Sequence, residues 1–244
     1  MIASLAMYDM APVQAANDRF WSAIRAVFGD GPASLTRDAD LWTVWRSPDL
    51  LFAQTCGMPY RTHLHGQVDL VGTPDYGLPD CPPGHYRSAF VVRADAPVAA
   101  LSELNRPRFA YNEALSQSGW AAPGTHLARA GIALGELVQT GAHAASARAV
   151  ADGRADLAAL DALTWALLQA HDPLAQDLRV LAWTEPTPGL PYITRRHGPA
   201  DQLHDAVHRA IEALTPEDRS ALHLKGLVRI PAEAYLAIPS PPAP

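Results

Sequence analysis

The sequence predicts an α/β protein of two lobes, each a mostly parallel sheet flanked by helices, with a ligand cleft between them. Three observations carry this expectation. Short apolar segments alternate with segments of helical period along the chain. Nearly all the short segments are apolar throughout, as strands covered on both faces are. The alternation also restarts after about residue 100, so the units fall into two groups, residues 1–90 with 186–244 and residues 91–185.

Ile2 to Ala6 reads as a buried strand, and a helix follows from about Val13 to Phe28, where Trp21, Ile24, Val27 and Phe28 recur at helical spacing. Asp38 to Trp45 is helical with an acidic first turn, which suits the positive end of a helix dipole. Asp49 to Gln54 and Val68 to Gly72 are strands, Pro74 to Gly84 is a loop, and Arg87 to Arg93 is a strand again. Arg108 to Tyr111 is the next strand, followed by a polar turn and a helical stretch broken at Pro123 and Gly124. Val138 to Thr140 is a short strand, and Ala144 to Gly153 is a helix closed by its glycine. Asp156 to Asp161 and Leu178 to Trp183 are strands with a helix between them. Ala200 to Leu214 and Pro216 to Gly226 read as two helices before a frayed, proline-rich tail. The chain crosses between lobes near Arg87–Arg93 and Trp183–Thr194.

Composition narrows the function. The 244 residues are 48% hydrophobic and 18% charged, with a formal charge of −6, which suits a globular chain and excludes disorder. No Lys/Arg run forms the stripe a nucleic-acid surface needs. Every cation but Lys225 is arginine, leaving Schiff-base chemistry one poorly placed candidate. No segment has the length of a membrane span or the pattern of a signal peptide, so the chain as written reads as cytoplasmic or already processed. Cys56 and Cys81 are too few for a disulfide framework; they read as buried thiols, or as one bridge after export.

In open α/β sheets, ligands bind beyond the carboxyl ends of the strands. Five polar turns fall there: Tyr8 with Asp9; Gln54 with Thr55; Ser116, Gln117, Ser118 and Gly119; Thr140, Gly141 and His143; and Asp161. The Ser116–Gly119 turn opens a helix, so backbone N–H groups and two hydroxyls surround a positive dipole end, which suits an oxyanion. Plain N-capping by serine is the competing reading. His143 sits in the same way at the next helix, as an anion donor or as a structural histidine. Asp161 ends an apolar strand and either caps the helix after it or selects a protonated oxyanion over one with no proton to give. Tyr8, Tyr111, Trp42, Trp45 and Trp183 line a cleft or pack in the core. His63 and His65 alternate without a carboxylate or cysteine partner, so no metal site is expected. Nucleotide, hydrolase-elbow and zinc-protease motifs do not occur, and the catalytic reading reduces to Ser116 or Ser118 beside His143.

Together these segments resemble the phosphate/phosphite/phosphonate substrate-binding proteins of ABC transporters, which have the type 2 periplasmic-binding-protein fold. The resemblance is carried by Tyr86–Arg93 with Leu101–Leu104, Phe109–Asn112 leading to Ser116–Trp120, Thr140–Ser146, Val150–Ala158 and Pro188–Pro191. It implies that Ser116, Ser118, Gly119 and His143 bind phosphoryl oxygens and that a tyrosine of the first lobe closes over the ligand, for which Tyr8 is the candidate by position; Gln54, Thr55, Tyr111, Gln117 and Asp161 complete the expected ligand-binding set from the reading of the residues themselves. It further implies a monomer without cofactor or metal that captures a small oxyanion (phosphate, phosphite or a simple phosphonate) by hinge closure, for an ABC permease outside the cytoplasm. Family members that bind amino-phosphonates look to have an acidic residue where this chain has Leu190. The missing leader motivates one other role on the same fold, a cytoplasmic enzyme resembling menaquinone-pathway proteins that act on a carboxylate substrate, with His143 as acid/base; a ligand-sensing module that docks on a partner protein is the third role the scaffold can host.

Overall fold

A computed structural model describes residues 1–244. Its strands are, in chain order, β1 (Ile2–Ser4), β2 (Leu50–Gln54), β3 (Val68–Asp75), β4 (His85–Tyr86), β5 (Ser88–Arg93) and β6 (Phe109–Tyr111). They continue with β7 (Leu137–Gln139), β8 (Leu157–Asp161), β9 (Leu178–Trp183), β10 (Thr187–Pro188), β11 (Tyr192–Arg195) and β12 (Gly226–Val228). The chain divides into two compact units, Met1–His85 with Pro188–Ala237, and Tyr86–Thr187 with Ile238–Pro244. Each is built on a five-stranded sheet with helices packed against it, so the fold is mixed α/β.

In the first unit the strand order is β1-β2-β11-β3-β12. β1 and β2 are parallel, and β11 runs antiparallel to both β2 and β3. The carboxyl ends of β1, β2 and β3 therefore share one edge with the start of β11. On one face lie Val44, Trp45, Leu50, Tyr60, Leu64, Ile193 and Tyr235, all buried. The Gln14–Phe28 and Ala200–Ala213 helices pack together, and Trp21 stacks on Phe52 at 5.9 Å.

The second unit has the order β7-β6-β8-β5-β9. β7, β6 and β8 are parallel, and β5 is antiparallel to both β8 and β9. Phe90, Val92, Phe109, Trp120, Leu127 and Leu157 form its core. Here the carboxyl ends of β6, β7 and β8 share an edge, which places Asn112, Thr140 and Asp161 along it.

Several expectations are corrected. Antiparallel pairs are more numerous than expected, because a strand apolar throughout reports burial on both faces but not direction. The second half of the 216–226 segment is not helical. The helix there is Pro216–Ala221, and Gly226–Val228 is instead an edge strand paired with Thr73–Asp75. That pairing also extends β3 into the expected Pro74–Gly84 loop, since Pro74 can sit where β3 needs no further donor. The stretch around Pro123 is unbroken: a π-type turn over Gln117–Ala121 leads into the Ala122–Arg129 helix, and Pro123 falls in its first turn, where a missing N–H costs little. His63 and His65, whose alternation would suit one face of a strand, lie in and just after a helical turn over Tyr60–Leu64. The C-terminal segment is tied down at two points, although its last residues form no regular element. Tyr235 is buried, with its hydroxyl 2.6 Å from Thr73 Oγ1 and donating to Gly189 O at 3.1 Å, and Trp120 Nε1 donates to Pro242 O at 2.9 Å. Ile238–Pro244 thus groups with the second unit, whereas residues 186–244 were expected together with the first.

Candidate functional site

In the second unit the polar turns converge at the starts of two helices. Ser116 is the N-cap of the Gln117–Ala121 turn, and its Oγ accepts the Gly119 N–H at 2.9 Å. The capping reading of Ser116 is therefore correct, and it leaves Ser118 as the hydroxyl available for other work. Ser118 Oγ lies 2.9 Å from Nε2 of His143, the first residue of the His143–Ala151 helix. One hydrogen bond thus ties two helix starts together. The second of these has no side-chain cap, so its first N–H groups are not spent on a capping residue.

Asn112 sets the spacing. Its carbonyl accepts the Gly141 N–H at 2.9 Å, fixing the turn before His143. Its Oδ1 is buried without a hydrogen bond, in the space a Cβ at position 119 would fill. Glycine at 119 is therefore a packing requirement. Thr140 completes the turn, its Oγ1 lying 2.6 Å from Ser146 Oγ and 3.1 Å from the Tyr111 carbonyl it donates to.

His143 is half-buried as a residue, but its Nδ1 is fully enclosed. Burial pulls the imidazole pKa down to about 4, and the neighbouring Ala159 carbonyl offsets this only in part. At neutral pH the ring is an uncharged dipole with a single N–H. Asp161 Oδ1 accepts from the N–H groups of Leu163 and Thr164 at 2.8 and 3.1 Å, so the carboxylate caps the Ala162–His171 helix. Tyr111 is only 8% exposed, and its ring centroid is 5.4 Å from that of Trp120, which makes it part of the core. Gln117 lines a separate cavity of about 460 Å³ along the flank of the same helix, with Ala121, Thr125, Arg129, Glu185 and Pro239.

In the first unit Tyr8, Gln54 and Thr55 lie at the carboxyl edge of the sheet. Tyr8 meets Tyr76 edge to face at 5.4 Å. Gln54 Nε2 donates to Tyr76 OH at 3.0 Å and to Leu190 O at 3.1 Å. Thr55 is fully buried, its N–H donating to Pro191 O at 3.1 Å. Asp9, in the same turn as Tyr8, is structural: Arg37 and Asn17 bind its carboxylate at 2.6 and 2.9 Å. Trp45 belongs to the core, its Nε1 donating to Gln54 O at 3.0 Å, while Trp42 and Trp183 carry Arg46 and Arg87 over their faces. Sequence reasoning missed Tyr76 and the spacing role of Asn112. Tyr76 was hidden in the Pro/Gly-rich run, and the signal for it was its place just past β3.

Comparison with known proteins gives a consistent picture. The family model described as "ABC transporter, phosphonate, periplasmic substrate-binding protein" matches residues 52–233. A search of curated proteins finds no match. Among solved structures, PhnD1 from Prochlorococcus marinus, in complex with methylphosphonate, superposes with a TM-score of 0.76 at 14% identity, covering 96% of this chain and 93% of that one. A binding protein component of an ABC phosphonate transporter from Pseudomonas aeruginosa gives 0.71 at 15% identity, over 93% and 80% of the two chains. XAC2383 from Xanthomonas citri bound to ATP gives 0.67 at 18% identity, over 96% and 92%. At these identities the structures establish a shared fold.

Proposed function

Since this chain belongs to the periplasmic substrate-binding proteins of phosphonate ABC transporters, we propose that it captures a small phosphorus oxyanion and delivers it to an ABC permease. The family consists of binding proteins rather than enzymes, and its members work with a permease on a small anionic ligand. No helix of this chain is long and apolar enough to cross a membrane. The ligand we propose is phosphate, phosphite or a simple phosphonate, bound by a monomer that acts outside the inner membrane and closes about its two crossings.

The observation that carries the reading is the Ser118–His143 hydrogen bond, which joins two helix starts. Helix-end N–H groups and neutral hydroxyls favour an anion without any counter-cation, so a chain of net charge −6 is no obstacle. A neutral His143 fits this role better than acid/base work, which favours a pKa close to the operating pH. Tyr8, Gln54 and Thr55, at the carboxyl edge of the first unit's sheet, are also proposed as ligand contacts. Leu190 is buried, and its carbonyl is taken by Gln54, so a ligand amine finds no counter-charge there.

Thermal-shift measurements with phosphate, phosphite, methylphosphonate, 2-aminoethylphosphonate, sulfate and aromatic carboxylates test the proposal. A ligand at 100 times its Kd adds about 2.7 kcal/mol to stability. Methylphosphonate or an inorganic phosphorus oxyanion should raise the melting temperature, more than the amino-phosphonate does, and Ser118→Ala should lose most of the shift. A response to carboxylates only, or to nothing, rejects the proposal.

A further inference from the structure

The second unit holds a cavity of about 460 Å³ apart from the anion turn, a volume within the range of small-molecule sites. Three walls enclose it, and each is anchored by contacts of its own. The Ala122–Arg129 helix forms the first, fixed to the core through the buried Leu127. Thr184–Thr187 forms the second, where Thr184 exchanges two hydrogen bonds with Ser88: its N–H donates to Ser88 O at 3.0 Å and its Oγ1 accepts the Ser88 N–H at 2.9 Å. The third is the tail at Ile238 and Pro239. It is held down just beyond, where Trp120 Nε1 donates to Pro242 O at 2.9 Å and Pro241 lies so near Gly124 that a Cβ there would touch it at 3.6 Å. The cavity is therefore formed before any ligand enters.

Two opposite charges line it without pairing. Arg129 and Glu185 both border the cavity, and neither makes a hydrogen bond or an ion pair through its side chain, with the other or with any third residue. That is unusual for this unit, where Arg93, Arg108, Arg148 and Arg154 each hold an aspartate and Arg179 donates to the Ala96 and Val98 carbonyls. Arg106, the other arginine without such a partner, is exposed on an open bend. The hydroxyls of Thr125 and Thr187 border the same cavity unspent, and the His126 ring, 5.2 Å from that of Phe90, brings its nitrogens to it. Between these polar groups Ala121, Ala122, Ala130, Pro186 and Ile238 supply an aliphatic surface.

We propose that this cavity is a second ligand site, one that takes a small zwitterion of the amino-acid class, with its carboxylate on Arg129, its ammonium on Glu185 and an aliphatic side chain against the alanines and Ile238. The guanidinium fork matches a carboxylate in two parallel hydrogen bonds. Charge selects the class: a simple anion is repelled by Glu185 and a simple cation by Arg129, whereas a guest carrying both signs meets neither penalty. The inference is independent of the oxyanion reading, because Ser118, Gly119 and His143 do not line this cavity and the anion turn reaches it only through Gln117.

The test is isothermal titration with L-leucine, alongside 4-methylpentanoate and 3-methylbutylamine, which are leucine without its ammonium and without its carboxylate. Leucine should bind saturably and each analogue about 10- to 100-fold more weakly, the range of one hydrogen bond to a charged group. Arg129→Gln and Glu185→Gln change exposed side chains with no partner in the fold, so the melting temperature should hold. Each should weaken leucine binding over the same range while the Kd for methylphosphonate stays within twofold of wild type. No saturable binding of leucine overturns the inference, and an analogue that binds as tightly as leucine overturns the zwitterion class. Leucine binding that both variants leave intact lies elsewhere on the protein, and strict competition with methylphosphonate puts it at the anion turn; either result overturns the site. If leucine binding depends on Arg129 and Glu185 while wild type binds no phosphorus oxyanion, this site stands and the oxyanion reading falls.

Discussion

The two units place polar groups at the carboxyl edges of their sheets in different ways. In the second unit the groups are local: Ser116, Ser118 and Gly119 lie within one turn, and His143 begins the helix after the next strand. Their donors are backbone N–H groups and small side chains whose positions follow from helix starts. In the first unit the cluster is assembled from distant segments, Tyr8 after β1, Gln54 ending β2, Tyr76 after β3 and Tyr192 opening β11. Its geometry depends on side chains reaching one another across the sheet. The difference teaches that substitutions in the second unit should act through backbone fit and desolvation, and those in the first through unmet hydrogen bonds.

The sharpest way to break this contrast is at Gly119. Gly119→Ala puts a methyl where Asn112 Oδ1 sits, against a well-packed turn. The expected loss is about 3 kcal/mol of stability, at the upper end for overpacking, together with most of the affinity for methylphosphonate. Adding Asn112→Ala clears the space and should restore most of both. Denaturant unfolding of the single and double variants checks this, and a double variant no better than Gly119→Ala removes Asn112 from the account.

The next effect concerns pH. The native pKa of His143, about 4, is below its ordinary 6.5. Between those values the unfolded chain holds a proton that the native state lacks, so stability rises with pH. The contribution is fully present above pH 6.5, falls as the pH drops toward 4, and is flat below. It amounts to about 2–3 kcal/mol, discounted for the partial exposure of the residue. His143→Gln should flatten that part of the stability profile between pH 7.5 and 4.5. An unchanged slope would mean that His143 is not the group responsible.

The contrast also explains what was legible in the sequence. Helix starts are written in consecutive residues, so Ser116 to Gly119 and the Gly141–His143 turn could be read directly, and Asp161 as a cap followed from its place between a strand and a helix. The family resemblance rested on the same segments. Tyr76 could not be read that way, because its neighbours Gln54 and Tyr192 approach it only after β11 has inserted between β2 and β3. Strand direction was hidden for a related reason: β5 and β11 are buried over nearly their whole length like their parallel neighbours, and burial does not report direction. The second half of the 216–226 segment failed because the edge strand at Gly226 is decided by its partner, Thr73–Asp75, and not by its own composition.

A third prediction sharpens the first-unit side. Gln54 is 3% exposed and satisfies both Tyr76 OH and the Leu190 carbonyl. Gln54→Met keeps the length and removes both hydrogen bonds, depriving the buried Leu190 carbonyl of this donor and leaving the half-buried Tyr76 OH with one partner fewer. The expected cost is about 2 kcal/mol, and the loss should be smaller when Tyr76→Phe is already present, since one unmet partner has then been removed. A double-mutant cycle measures that coupling. Strict additivity would show that the two side chains do not act as one cluster.

The smallest stability effect is expected at Asp161, where two roles can be separated by chemistry. As a cap, Asp161 accepts from Leu163 and Thr164 through one oxygen. Asparagine keeps such an acceptor and alanine does not, so Asp161→Ala should cost about 1–2 kcal/mol and Asp161→Asn a few tenths. If the carboxylate also faces the bound anion, it repels one that carries no proton and accepts a hydrogen bond from one that does. Asp161→Asn, nearly silent in stability, should then narrow the affinity gap between hydrogen phosphate and sulfate. Titration of both anions against the two variants decides this. A gap that stays the same in Asp161→Asn confines Asp161 to capping, and selection between anions must then come from the helix starts themselves.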